Sequence, residues 1–215
     1  MINSVEISII LRTYNTNPTY LERAVKSVLN QDFQNFELVI VDDGSTYEYA
    51  ANIIKYYTHT ANRILYTYQP NKGESEAANR GVLNSSGNYI TFIDSDDEYK
   101  PNHLSSCIAE MEEVDLICST ATLVGDRQQD FYVADRTDTT KLIHVDNTIL
   151  FGTLFGKKEI FNNIKFTTEY GADAVFFEQA SKLYTTKKTS LRTYIYYRNI
   201  PNSLSTLIKA KYETV

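Results

Sequence analysis

The 215-residue sequence contains no tryptophan, two cysteines and three histidines. Two cysteines do not make a disulfide framework, and Cys107 and Cys118 each sit among apolar residues, so both read as buried thiols. His59, His103 and His144 are scattered without metal-ligand spacing and read as non-catalytic. Without tryptophan, the aromatic content rests on 17 tyrosines and 10 phenylalanines. Most of these, Tyr196 and Tyr197 included, fall in strand-like runs and read as structural. Positive charge is also short: the net charge is −6 and the pI about 5.1, which argues against a general nucleic-acid binder. No basic region followed by an apolar run opens the chain, and no window approaches about 18 uninterrupted apolar residues. The expectation is a cytoplasmic protein, at most peripheral at a membrane. There is no internal repeat and no low-complexity linker. A Gly-x-Gly-x-x-Gly after the first strand is missing, as is a Gly-x-x-x-x-Gly-Lys-Ser/Thr, which argues against a dinucleotide enzyme and a P-loop NTPase.

Hydrophobic residues make up 42% of the chain, enough for the core of one α/β domain. Val5–Leu11 is apolar nearly throughout, as in a strand buried on both faces of a parallel sheet. Arg12-Thr13-Tyr14-Asn15 reads as a loop. Asn17 and Pro18 then supply an N-cap and a first helical residue, followed by Leu21, Ala24, Val25, Val28 and Leu29 at helical spacing. The unit repeats with a strand at Phe36–Val41 ending in Asp42-Asp43-Gly44. Ser45 and Glu48 have the spacing of a capping box, ahead of a helix with Ala50, Ile53, Ile54 and Tyr57 inward. A strand at Arg63–Tyr68, a turn at Pro70–Gly73 and a short helix at Ser75–Leu83 come next. Pro101 opens a helix with Leu104, Cys107, Ile108 and Met111 inward.

The second half changes character. Asp115–Gly125 and Gln129–Val133 read as an antiparallel hairpin about Gly125-Asp126, and Asp138–Phe151 carries no clear pattern. Lys157–Phe161 reads as a helical turn. A helix from Ala172 has Val175, Phe176, Ala180 and Leu183 inward, a strand covers Lys187–Tyr197, and a tail helix starts at Leu204.

The most informative stretch is Asn88–Asp97. Tyr89–Ile93 is β-branched or aromatic and reads as a strand, yet it runs into Asp94-Ser95-Asp96-Asp97. Like charges packed together are unfavourable unless a cation is near. Asp94 and Asp96 are two apart, so extended backbone points them to one side. Two carboxylates without Cys or His beside them suit a hard cation such as Mg²⁺ or Mn²⁺; taken alone, the stretch reads equally as a solvated acidic loop after a strand. Asp97 reads as solvated, and one of Asp42 and Asp43 as a cap for the following helix. Alternating strands and helices predict an open, mostly parallel sheet with ligands beyond the C-terminal strand ends. Arg12-Thr13, Asp42-Asp43 and Asp94-Ser95-Asp96 all fall on that edge.

In order, the chain reads Ile-Ile-Leu-Arg-Thr-Tyr-Asn, Val-Asp-Asp-Gly-Ser, Asn-Lys-Gly with Ala-Ala-Asn-Arg-Gly, Ile-Asp-Ser-Asp-Asp, and Gly-Ala-Asp. This resembles the family 2 inverting glycosyltransferases. The resemblance implies a single GT-A domain over 1–215: a nucleotide-sugar-binding half at 1–103, an acceptor and catalytic half at 104–200, and a tail at 201–215. The implied fold is a Rossmann-like, mostly parallel sheet with helices on both faces and a smaller antiparallel C-terminal portion. The implied activity is metal-dependent sugar transfer from a nucleotide-diphosphate donor, commonly a UDP-sugar, to a glycan or lipid-linked hydroxyl acceptor, in surface polysaccharide or other glycan assembly.

By matching position, the resemblance puts Thr13, Tyr14, Asp42 and Asp43 on the base and ribose, and Asp94 and Ser95 on the ribose side. Asp96, with Asp94, holds Mn²⁺ or Mg²⁺. Lys72, Asn79 and Arg198 face the donor phosphates, with Ser203 nearby, and Asp173 is the catalytic base, its other reading being a plain carboxylate at a helix N-terminus. Three departures stand out. Arg12 replaces a common proline and either reaches the donor or caps the strand, the cap being the favoured reading. Ala77-Ala78-Asn79 stands where Ala-Arg-Asn is common, so the resemblance implies a missing phosphate-side arginine, with Lys72 or Arg80 as substitutes. Ala172 stands where a glutamate often precedes the base. Two other readings use the same residues. One is a catalytically silent nucleotide-sugar-binding module. The other is a nucleotidyltransferase, which would usually carry a glycine-rich loop after the first strand.

Overall fold

The computed structural model describes residues 5–46, 48, 51, 55, 57–59 and 63–200. The first strand, β1 (Ile7–Thr13), is buried at every position, as its continuous apolar run requires. It extends through Arg12 and Thr13, which the sequence reading placed in a loop. Asn17 caps α1 (Pro18–Leu29) by accepting the Thr19 N–H at 2.9 Å, with Pro18 at the first helical position. Leu21, Ala24, Val25 and Val28 turn inward from it. Each of these larger side chains contributes about 1.5–3 kcal/mol by leaving water.

The chain continues through β2 (Phe36–Asp42), β3 (Ile64–Tyr68), α2 (Glu74–Asn84), β4 (Tyr89–Asp94), the two-residue β5 (Glu98–Tyr99) and α3 (His103–Ala109). Of the expected helix between β2 and β3, Ala50, Ile53 and Ile54 lie outside the described residues; Tyr57 is buried in the core. The Ser45–Glu48 capping box is replaced by another arrangement. The Ser45 N–H donates to Asp42 Oδ1 at 2.8 Å, and the Ser45 hydroxyl accepts from the Asn15 N–H at 2.9 Å.

One eight-stranded sheet has the order β3-β2-β1-β4-β9-β6-β10-β5. Its later strands are β6 (Leu116–Val124), β9 (Leu154–Lys157) and β10 (Thr186–Tyr197). The pairings make β9 and β5 antiparallel to the other six strands. The expected hairpin after β6 does not form. Gln128–Phe131 is a 3₁₀ turn, and β7 (Tyr132–Ala134) pairs with β8 (Leu142–His144) in a separate two-stranded antiparallel sheet. β6 pairs instead with β9 and β10.

Helices cover both sheet faces. Residues of α1 and α3 pack in one core cluster. Residues of α2, α4 (Lys158–Asn163) and α5 (Ala172–Ser181) pack in the other. In α5, Phe176, Phe177 and Ala180 are buried, whereas Leu183, expected inward, lies past the helix end and is 72% exposed. Cys107 and Cys118 are buried free thiols in separate clusters. Among the described residues no helix is long and apolar enough to cross a membrane. The expected tail helix from Leu204, and Ser203, lie outside the described residues.

Candidate active site

Strand register brings the three polar clusters together. Arg12 of β1 sits opposite Asp94 of β4, and Thr13 sits opposite Asp42 of β2. The first two strand–helix loops are also tied to one another. Asn15, at φ +49°, accepts the Thr46 N–H on its side-chain oxygen at 2.7 Å. The Thr13 carbonyl accepts from Asp43 N at 2.9 Å, and the Thr16 hydroxyl lies 2.5 Å from that of Ser95. Tyr14, by contrast, is 52% exposed at the rim.

Asp42 and Asp43 are both buried but do different work. Asp42 Oδ1 accepts from Ser45 N, the local turn expected of one of the pair, and Oδ2 accepts the Tyr66 hydroxyl at 2.9 Å. Asp43 reaches across to the loop before α2. Its Oδ1 accepts from Gln69 Nε2 at 2.7 Å and Lys72 N at 2.9 Å, and its Oδ2 from Gly73 N at 2.8 Å. Gly73 adopts φ +92°, a left-handed conformation suited to glycine, immediately before Glu74. Asp43 thereby fixes where Glu74 begins α2. The Lys72 side chain is exposed.

Arg12 is embedded in the site. Its side chain is only 5% exposed, its Nη2 forms an ion pair with Asp94 Oδ1, and its Nη1 lies 3.8 Å from Glu74 Oε2. The guanidinium carbon stands 3.8 Å from the centroid of the Phe151 ring. Arg12 is therefore a bridge between carboxylates and not a strand cap. Burial disfavours its charge, but Asp94, Glu74 and Tyr194 more than offset this and raise its pKa.

The acidic loop divides its labour. Asp97 is fully buried, contrary to the solvated reading. The Tyr194 hydroxyl donates to its Oδ2 at 2.6 Å, and Tyr197 N to its Oδ1 at 2.9 Å. Burial, then Asp96 and Asp94, push its pKa well up. Asp96 is part-buried; burial and the neighbouring Asp94 raise its pKa to about 6, opposed by its own amide, Arg23 and Arg12. Arg23 donates to the Asp96 carbonyl and stacks 3.6 Å from the Tyr197 ring centroid.

Asp173 stands in the first turn of α5, after Gly171 at φ +75°. Its Oδ1 accepts from Ala174 N at 2.8 Å. Burial raises its pKa to about 6; the Ala174 and Phe151 amides and Arg12 oppose the rise, and Glu74 adds to it. The base candidate thus shares an electrostatic environment with Arg12 and Glu74, although they are distant in sequence.

Two expected donor residues are committed elsewhere. Asn79 makes a paired contact with the Phe166 backbone, donating to its carbonyl at 2.9 Å and accepting from its N–H at 3.1 Å. Arg198 is buried, with Nε donating to the Asp130 carbonyl at 2.8 Å and Nη1 to the Tyr196 hydroxyl at 3.0 Å. Sequence reasoning missed Glu74, Phe151 and Tyr194. Glu74 alone carried a signal, a carboxylate directly after the Lys72-Gly73 turn.

The model of the family described as glycosyl transferase family 2 matches residues 8–181. The chain belongs to that family. It is 32% identical over 157 residues to glycosyltransferase GlyA of Streptococcus pneumoniae, a match spanning 72% of this chain and 22% of GlyA. Its fold is that of S. aureus TarS (residues 1–349, solved with UDP-GlcNAc), with a TM-score of 0.71, 22% identity, and coverage of 94% of this chain and 60% of that one. The mannosyltransferase PcManGT of Pyrobaculum calidifontis, solved with GDP-Man and Mn²⁺, gives a TM-score of 0.69 at 17% identity, covering 99% of this chain and 63% of that one. Both are GT-A structures and support the fold. The chain spans about a fifth of GlyA and about three-fifths of these solved chains.

Proposed function

We propose that this domain transfers a sugar, with inversion, from a nucleoside-diphosphate donor, most simply a UDP-sugar, to a hydroxyl acceptor on a glycan or lipid-linked chain. The observation that carries the reading is the charge pattern at the sheet edge. Asp94, Asp96, Asp173 and Glu74 gather around one buried guanidinium, Arg12, with Arg23 behind the loop. A donor diphosphate adds further negative charge, so this edge requires a cation to accept it.

The residues fit a divalent ion. Asp96 is desolvated beside a second carboxylate, and Asp94 keeps one oxygen beyond the Arg12 pair. Among the described residues no group of three His, Cys, Asp or Glu could hold a metal ion by itself; an ion here would complete its shell with phosphate oxygens and water. Asp96 and Asp94 would hold it, and its chemistry there is to neutralise charge gathering on the leaving diphosphate.

The Asp173 carboxylate takes the proton of the acceptor hydroxyl. The acceptor oxygen bonds to the anomeric carbon as the bond from that carbon to the donor phosphate oxygen breaks, and the diphosphate leaves with the electron pair. A carboxylate has about four acceptor positions; three N–H groups occupy Asp43, leaving one for a base N–H.

The test is product analysis with UDP-sugars and Mn²⁺. Wild type is expected to release UDP, and Asp173→Asn to bind UDP but release none. Release of pyrophosphate, or equal turnover by Asp173→Asn, would overturn the reading.

A further inference from the structure

Arg12 is hydrogen-bonded on one side only, its contact with Glu74 being a longer ion pair. Its Nη2 holds Asp94, while its Nε and Nη1 are buried without a hydrogen-bond partner. A buried donor without an acceptor is unfavourable, so the guanidinium is poised for another ligand. The nearest candidate is Glu74 Oε2, 3.8 Å from Nη1 and beyond hydrogen-bonding range. Glu74 is half exposed in the first turn of α2, with room to approach. The guanidinium carbon also lies 3.8 Å from the centroid of the Phe151 ring, which covers it on one side.

We propose that Arg12 is an exchangeable counter-ion of Asp94. In the empty site it neutralises Asp94; when a divalent cation arrives with the donor diphosphate, it yields Asp94 and closes onto Glu74. Arg12 then competes with the cation, and Glu74 favours the cation by giving Arg12 a second partner. Binding of the bare ion is held weak and becomes favourable only with the donor's phosphates. This rests on the reading of Asp94 and Asp96 as the cation-holding edge. Arg12 acts here as a positioning residue, and its signature is two effects of opposite sign on metal affinity.

The test is Mn²⁺ titration without nucleotide, followed by electron paramagnetic resonance. Arg12→Met is expected to bind Mn²⁺ at least about fivefold more tightly than wild type, and Arg12→Met/Asp94→Asn to lose that gain. Glu74→Gln, at an exposed position, is expected to bind at least about threefold more weakly. In the Arg12→Met background, Glu74→Gln should change little, because its effect passes through Arg12. Unchanged or weaker Mn²⁺ binding by Arg12→Met overturns the proposal. Should Arg12→Met not fold, unchanged binding by Glu74→Gln overturns it, and a loss there supports it. A parallel UDP titration separates the two levels: UDP binding indifferent to Mn²⁺ and to Asp96→Asn would fail the donor-site reading itself. Mn²⁺-dependent UDP binding with Mn²⁺ affinity unmoved by Arg12→Met and Glu74→Gln would fail only the exchange.

Discussion

The Tyr194 hydroxyl donates to Asp97 at 2.6 Å in the protein interior and joins β10 to the loop that carries Asp94 and Asp96. The same hydroxyl accepts from Asp94 N at 3.3 Å. Tyr194→Phe leaves Asp97 buried with one donor fewer. The expected loss is about 1–3 kcal/mol of stability, measured by urea unfolding. An unchanged midpoint would mean that the Tyr194 hydroxyl contributes nothing to anchoring the loop.

An added Cβ at Gly152 would overlap Tyr194 Cζ, Cε2 and the hydroxyl oxygen. Gly152→Ala must therefore displace a ring that is itself fully buried. A destabilisation of about 1–3 kcal/mol is expected, the usual range for overpacking. Thermal melting of the purified variant reads it directly.

With Asp173 as the proposed base, the pH dependence of transfer follows from its titration. Its pKa is raised to about 6, so the ionised base is depleted below that pH and the rate should fall as pH drops through 6. Stability runs the other way. A carboxyl that holds its proton more tightly when folded costs stability as pH rises from about 4 to 6, and that cost persists at pH 7. Asp173→Asn removes it. The variant should be more stable than wild type at pH 7, by about 1–3 kcal/mol, while losing transfer. The gain should vanish near pH 4, and unfolding curves at both pH values check the sign.

Cys107 and Cys118 are buried, and burial pushes both thiols up in pKa. Neither should react with a thiol reagent at pH 8 while the chain is folded, and both should react in denaturant. Stoichiometric labelling of the native protein would contradict the packing around them.

The sheet edge was legible because its evidence is local. An apolar run ending in polar residues marks the C-terminal end of a buried strand, and three such ends put Arg12, Asp42 and Asp94 side by side. What failed to show was long-range. Asp97 looked like any solvated acid because its partners, Tyr194 and Tyr197, lie about a hundred residues away. Glu74 and Asp173 meet around Arg12 only because α2 and α5 pack on one sheet face. The hairpin expected after β6 was an error of local reasoning: the Gly125 turn leads into a 3₁₀ turn whose Asp130 takes the Asp126 and Arg127 N–H groups. β6 finds its neighbours in β9 and β10, which the turn chemistry could not announce.

Calorimetric titration of UDP into wild type and Asp96→Asn, each with and without Mn²⁺, tests the proposed donor site most directly. Wild type should bind UDP at least about tenfold more tightly with Mn²⁺, and Asp96→Asn should lose that enhancement while remaining folded. Binding of UDP that ignores both the ion and the substitution would contradict the assignment of Asp96 to the cation.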